Sequence, residues 1–437
     1  MTDRIKSKFS STDPLPDHRR IESELIEITA RMAGIPSSEL TLKTRPVIDL
    51  GIDSLDIIEY LSEIENTFDV TLPDAEQAPE QIYKQAFTRA RSIEDLAELV
   101  QLRFGSGRPQ RTGWFQRTPP VAPCAEPFTQ SRGSSIAEPG VYERLGQHAS
   151  GHRLLRRSRD GMLCLLIPGG SAQIGGNGDH VGEDEKPLHS VQLSPYLFDL
   201  ELVSVAAYCR FLNAIGPLPE ATLEHWFELA PGDRRRPHRT IQRERGRFVP
   251  RPDTDTWPVI LVSWYGARAY AAWAHGADPL DEQGPCFLPS EAQWEATTRG
   301  FGQEFTDSDF DKLAPRLGAG QAAQALETGE LPLRGVHQGE PQGPNGLRGA
   351  LGEVWQWCAD EYAPDAYAKH DATAVDPIEL GGGGIRSERG GSWVGSAALC
   401  RPGYRRGRAA QTRGRCLGFR CAASQPNLGA LWPLPGL

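Results

Sequence analysis

Residues 49–55 read Asp49-Leu50-Gly51-Ile52-Asp53-Ser54-Leu55, and their chemistry sets the reading of the first quarter of the chain. Asp53 is a residue type that accepts hydrogen bonds from the exposed N–H groups at a helix start. Asp56 adds a second carboxylate three residues on, where the positive end of the helix dipole lies. Ser54 then falls at the first helical position with its hydroxyl turned outward, so a phosphodiester attached there would meet that positive end. Gly51 permits the sharp loop before it. Downstream, Leu55, Ile58, Leu61, Ile64 and Phe68 recur on one helical face. Upstream, Ile21, Leu25, Ile28 and Met32 do the same, and Gly34-Ile35-Pro36 ends that helix. A weaker third signal covers about 78–88. Ser92 caps a last helix over 93–102, with Glu94 and Asp95 in its first turn.

Residues 17–104 are therefore expected to form an all-α four-helix bundle. The stretch resembles the acyl and peptidyl carrier proteins, whose motif is a Gly-x-Asp-Ser-Leu just before the second helix. Phe68-Asp69-Val70 and the Ser92 helix continue the resemblance. It implies a covalent 4′-phosphopantetheine arm on Ser54, beside Asp53, with a thioester-bound substrate at its thiol. It also implies that Asp56, Glu59 and Glu63 form the face read by partner enzymes. Those partners are a phosphopantetheinyl transferase, an acyl- or aminoacyl-loading enzyme and other enzymes of a pathway. The plainer alternative is a capped helix start that carries no modification.

Composition narrows the class further. Apolar content of 39% with 24% charged residues is that of a soluble globular protein. No apolar run near the N-terminus resembles a signal peptide, and none elsewhere suits a membrane helix, so a cytoplasmic location and no membrane partner are expected. The net charge is −10, and 17–104 alone holds 18 acidic against 9 basic side chains. Such a segment is steered towards basic protein surfaces and away from nucleic acid. The eight cysteines are scattered with no CxxC pair, which suggests neither zinc nor a disulfide framework. Residues 105–158, with Gly105, Gly107, Gly113, Pro119-Pro120 and many arginines, read as a flexible basic linker with a short helix near 142–155. From about 160 the chain is rich in Gly, Trp and short alternating runs, which predicts an irregular α+β domain with long loops.

Several segments of that second part occur in a telling order. They are Ile167-Pro168-Gly169-Gly170 with Gly175-Gly176, Glu185-Lys186-Pro187 with His189-Ser190-Val191, and Val262-Ser263-Trp264. Phe287-Leu288-Pro289-Ser290 then leads into a helix capped by Ser290, followed by Trp355-Gln356-Trp357, Arg389-Gly390-Gly391-Ser392-Trp393 and Gly418-Phe419-Arg420. Over 160–423 this resembles the formylglycine-generating (sulfatase-modifying) enzymes, which implies a variant of the C-type-lectin fold. Those enzymes carry two cysteines, five residues apart, just after the Gly-Gly-Ser stretch, and the two thiolates bind Cu(I). Here the positions are Gly395 and Cys400, so a two-thiolate copper site cannot form from them. The family's calcium loop departs too: Glu353 and Gln356 stand where the pattern has Asn and Glu. The amide removes a charged oxygen ligand that Glu353 could partly replace, and no metal site is assigned. The family's disulfide positions are mostly empty.

The resemblance leaves Cys400, Ser392, Trp355 and Arg389 as candidate catalytic residues of the cleft. Cys400, beside Arg401 and Arg405, could be a nucleophile with a depressed pKa or a buried remnant of the lost pair. Cys416 and Cys421 read as core. His148 and His152 have an iron-site spacing, but Leu154 stands where a Glu ligand is needed. Arg401, Arg405, Arg406, Arg408, Arg413 and Arg415 either tie loops together or face the carrier's acidic helix. The expected function is that of a carrier-linked protein of a nonribosomal-peptide or polyketide type pathway. It would hold an acyl or aminoacyl thioester on the Ser54 arm for binding or oxidative, oxidoreductase-like modification by the C-terminal domain. A non-catalytic docking domain and formylglycine generation on sulfatases are the alternatives.

Overall fold

The computed structural model describes residues 17–33, 37–44, 46, 60, 64, 67–68, 92–103, 142–177, 181–228, 239–301, 312, 314, 317–321, 331–370, 374–381, 384–395 and 397–424. Ser54, Asp53, Asp56, Glu59, Glu63, the 34–36 helix stop, the 78–88 helix and most of the 105–158 linker lie outside them.

In the N-terminal segment, helix α1 (His18–Ala33) and helix α2 (Ile93–Arg103) pack through Ile21, Leu25, Ile28, Ile93, Leu96 and Val100. Tyr60, Ile64 and Phe68 are buried in the same cluster. Ile21, Leu25, Ile28, Ile64 and Phe68 are positions that helical spacing placed on apolar faces, whereas Tyr60 was not among them. The Thr29 hydroxyl donates to the Leu25 carbonyl at 2.6 Å and lies 2.7 Å from the Tyr60 hydroxyl, so this buried polar pair is satisfied. Ser92 caps α2 as expected. Its Oγ accepts from the Asp95 N–H at 3.2 Å, and Asp95 Oδ2 accepts from the Ser92 N–H at 2.7 Å. A cap of this kind contributes about 1 kcal/mol.

The C-terminal part opens with β1 (Tyr142–Gln147), β2 (Arg153–Arg157), β3 (Leu163–Ile167), β4 (Gly170–Ile174), β5 (His189–Leu193) and β6 (Tyr196–Asp199). Next come α3 (Val205–Ala214), α4 (Glu220–Trp226), β7 (Ile241–Glu244), β8 (Arg247–Pro250), α5 (Trp264–Ala274) and α6 (Glu291–Arg299). The chain ends through β9 (Trp355–Glu361), α7 (Ala366–Lys369), β10 (Ile385–Arg389), β11 (Arg406–Ala409), β12 (Leu417–Gly418) and β13 (Ala422–Ser424). One sheet has the order β1-β2-β3-β6-β13 and a second β11-β10-β9-β12, while β4-β5 and β7-β8 are separate hairpins. This is the mixed α/β architecture expected. Strand β6 is flanked on both sides and buried at every position, which is why Tyr-Leu-Phe-Asp shows no alternation.

The short helix expected near 142–155 is not there. Residues 142–157 form the antiparallel β1–β2 hairpin at the edge of the larger sheet, with Leu155 facing Cys164 of β3. His148 and His152 flank its turn, the His148 N–H bonding to the His152 carbonyl at 2.8 Å. The His152 ring is held by Asn345 Oδ1 at 2.7 Å and the His148 ring lies against Ser150, so local bonds take both side chains.

Arg157, read as part of a solvated basic linker, is fully buried. Its guanidinium bonds Asp160 Oδ2 at 2.9 and 2.7 Å and Asp199 at 2.7 and 3.0 Å. Tyr270 donates to Asp160 at 2.6 Å, and the Cys421 N–H donates to Asp199 at 3.0 Å. The charges are thus paired and hydrogen-bonded, the condition under which burial is tolerated. Apolar packing completes the domain. Tyr208 stacks on Tyr270 at 5.7 Å with Phe211 and Phe419 edge-on around them, and Cys416 and Cys421 lie in this core.

Candidate functional site

Helix α6 organises the region around the Gly-Gly-Ser stretch. Ser290 caps it: Ser290 Oγ accepts from the Gln293 N–H and Gln293 Oε1 from the Ser290 N–H, both at 3.1 Å. The cap aims Glu291 and Glu295, one turn apart on one face, at the strands opposite. Arg405 grips Glu291 with two bonds of 2.7 and 2.8 Å. Arg389 bridges the two acids, reaching Glu291 at 3.0 Å and also bonding Glu295, and it donates to the Pro402 carbonyl at 2.7 Å. Tyr367 donates to Glu295 at 2.8 Å, Ser387 donates to Glu291, and the Gly175 N–H donates to Glu295 at 2.9 Å. Burial opposes ionisation of Glu291, but Arg405 and Arg389 outweigh it and hold the carboxyl below the usual glutamate range.

Of the four candidate residues these bonds hold Arg389, and all four lie in the interior. Ser392, Trp355 and Cys400 are buried, as is Arg389. Gly390 and Gly391 take φ of +98° and +68°. A Cβ at 391 would stand 2.5 Å from Cys400 Sγ and one at 390 would stand 2.4 Å from the Ala350 carbonyl, so the loop closes on the thiol only with glycine there. Burial pushes the Cys400 thiol up to about 12, against a backbone hydrogen bond at Ser392. That is opposite in direction to the depressed value a nucleophile would need. The neighbouring arginines are spent elsewhere: Arg401 on Glu185 at 2.8 and 2.7 Å, Arg405 on Glu291. Arg406 and Arg408 both bind Glu388, and Arg413 donates to the Glu224 carbonyl. Arg401, Arg405, Arg406, Arg408 and Arg413 are thus bonded to groups within the same domain. Trp355 lies under the Arg406 guanidinium, 5.3 Å from its ring centre, with Tyr404 at 5.9 Å.

Neither metal suggested by the resemblance fits the residues present. Gly395 offers no thiolate opposite Cys400. Gln356 Oε1 accepts from the Trp294 indole at 2.9 Å and from Arg420 at 2.7 Å, which turns its NH2 group towards the Ala350 and Gly349 carbonyls at 2.8 and 3.2 Å. Those carbonyls therefore face N–H donors. Glu353 Oε1 accepts from the Arg334 N–H at 3.1 Å.

The open surface lies elsewhere. A cavity of about 650 Å³ is bordered by α4, the start of α5 and the 279–283 loop, and includes His225, Trp264, Tyr265, Arg268 and Arg386. The sequence reading missed it. Its only signal was an adjacent Trp264-Tyr265 pair opening a helix, with nothing to join that pair to His225 or Arg386.

The described residues give a helical segment ahead of a mixed α/β domain folded around a Gly-Gly-Ser loop. Residues 154–425 match the sulfatase-modifying factor enzyme 1-like domain, and 23–100 match the phosphopantetheine attachment site. The chain belongs to the sulfatase-modifying factor enzyme 1-like family and carries a phosphopantetheine-binding domain before it. A formylglycine-generating enzyme of Streptomyces coelicolor is 29% identical over 328 residues, covering 66% of this chain and 94% of that protein. One of Thermomonospora curvata is 30% identical over 291 residues, covering 59% and 92%. Among solved structures, PvdO from Pseudomonas aeruginosa is 22% identical, covers 62% of this chain and 97% of its own, and superposes with a TM-score of 0.44.

Two outcomes follow from the buried site. Iodoacetamide at pH 8 is expected to leave Cys400 unlabelled in the folded chain and to label it in urea, as read by peptide mass spectrometry. Glu291 is ionised in the fold below its unfolded pKa, so its contribution is complete above about pH 4.5 and is lost as pH falls from there. Urea unfolding at stepped pH should show stability falling below about pH 5, by up to about 1.4 kcal/mol per pH unit for each such carboxylate. Glu291→Gln should give a shallower fall.

Proposed function

We propose that this chain is a carrier-linked biosynthetic protein whose Ser54 bears a 4′-phosphopantetheine arm charged with an acyl or aminoacyl thioester. Its C-terminal domain receives the tethered group. The observation that carries this reading is the fusion itself: an arm-attachment domain and a sulfatase-modifying-factor-like domain share one polypeptide. Tethering raises local concentration to roughly the millimolar range, so a weakly binding cavity suffices. A four-helix carrier over 17–104, a tether between the domains, a cytoplasmic setting, and a phosphopantetheinyl transferase and loading enzyme as partners belong to the same proposal. So does recognition of Asp56, Glu59 and Glu63 by those partners. Among the described residues, no helix is long and apolar enough to cross a membrane.

The choice between binding and oxidative modification turns on Cys400. Its burial, its raised pKa and glycine at 395 favour the C-terminal domain as a binding module, and they weigh equally against formylglycine generation. The test is coexpression with a broad-specificity phosphopantetheinyl transferase, read by intact mass. One arm is expected, lost in Ser54→Ala, and a cysteine-containing sulfatase peptide should remain unconverted. An unmodified Ser54 overturns the tethered-substrate reading, and a converted peptide overturns the binding role.

A further inference from the structure

The cavity beside α4 has walls of an unusual kind. The His225 and Tyr265 rings lie 4.3 Å apart, tilted by 32°, and the Arg386 guanidinium lies 4.0 Å from the centre of the Trp264 ring. Arg268 brings a second guanidinium, anchored by the Asp281 and Gly284 carbonyls at 3.0 and 2.7 Å. Glu282 lines the cavity as its carboxylate, and Leu280, 54% exposed, offers apolar surface. Aromatic faces backed by guanidiniums suit a planar or aromatic acyl group whose carbonyl or carboxylate the arginines can meet. The cavity is separate from the Gly-Gly-Ser region: Arg386 pairs with Glu361, at the end of β9 opposite Trp355.

The β7–β8 hairpin adjoins it. Arg243 on β7 lies 3.6 Å from Glu220, the first residue of α4, next to Ala221 and Thr222 of the cavity wall. Arg243, Arg245 and Arg247 are exposed. Over 234–255 the chain has eight arginines against three carboxylates, in a protein of net charge −10. The opposite charge is concentrated in 17–104, where 18 acidic side chains outnumber 9 basic ones and Asp56, Glu59 and Glu63 follow Ser54. Complementary patches of this kind fix orientation and speed encounter.

Resting on the arm proposed at Ser54, we infer that the arginine hairpin β7–β8 is the docking surface for this chain's own carrier domain, and that docking delivers the acyl group into the cavity between α4 and α5. The hairpin holds the carrier by charge. The aromatic and guanidinium walls hold the cargo.

The test uses the full chain. Ser54 is loaded with a pantetheine analogue ending in a diazirine, loading is checked by intact mass, and the sample is illuminated and mapped by peptide mass spectrometry. Crosslinks are expected within one polypeptide, in peptides from α4, the start of α5 or the 279–283 loop. Their yield should fall about fivefold in Arg243→Glu/Arg245→Glu/Arg247→Glu and in high salt. Leu280→Asp, at an exposed cavity position, should lower the yield without removing the salt dependence. Variants are compared at matched thermal unfolding temperature. A loaded arm that crosslinks elsewhere, or only to a second polypeptide, overturns the docking inference and leaves the arm intact. So does a yield indifferent to both variants. Failure of Ser54 to load at all overturns the proposed function and the docking with it.

Discussion

Two carboxylates one helical turn apart, Glu291 and Glu295, hold the second half of this protein together. Each is buried, and each would be costly there without partners. They are matched instead by Arg389, Arg405 and Arg299, with Ser387, Tyr367 and the Gly175 N–H completing the oxygen coordination. Arg299 is on α6 itself, while the other partners lie on β10, α7, the chain just ahead of β11 and the turn after β4, so one helix face anchors segments far apart in sequence. Removing one member of such a buried set typically costs about 3–5 kcal/mol, because the remaining charge is left uncompensated.

The same ion pairs account for the chemical quietness of the Gly-Gly-Ser region. Arginines that might have faced a ligand are engaged by carboxylates, the thiol of Cys400 is closed over by Gly391, and the amide of Gln356 binds carbonyls on one side and Arg420 on the other. A cavity walled by Trp264, Tyr265, His225 and Arg386 lies apart from that region. In the proposed account, function separates from the place where the family resemblance first pointed: the carrier domain supplies the cargo and the aromatic cavity receives it.

Much of this was legible in the sequence where the signals were local. The cap of α2 by Ser92, the capping box at Ser290, the apolar face of α1 and the ordered motifs from Ile167 to Arg420 all depend on residues close together in the chain. The β1–β2 hairpin was misread as a short helix at the end of a flexible basic linker. Arg157 is buried by Asp199, 42 residues on, and no local pattern shows that partner. Cys400 was open to two readings for the same reason: Arg401 and Arg405 adjoin it in sequence, yet their charges go to Glu185 and Glu291. The cavity was invisible because its walls come from four separate stretches, α4, α5, the 279–283 loop and β10, which only the tertiary fold brings together.

Hydrogen exchange on the full chain tests the central claim, that the C-terminal domain receives what the arm carries. Apo protein, with Ser54 free, would be compared with protein whose arm bears an aromatic acyl group. Slower exchange in α4, the first turn of α5 and the 279–284 loop is the predicted result, with β9 and β10 around Gln356 unchanged. Identical exchange in the two forms, with Ser54 fully acylated, would contradict it.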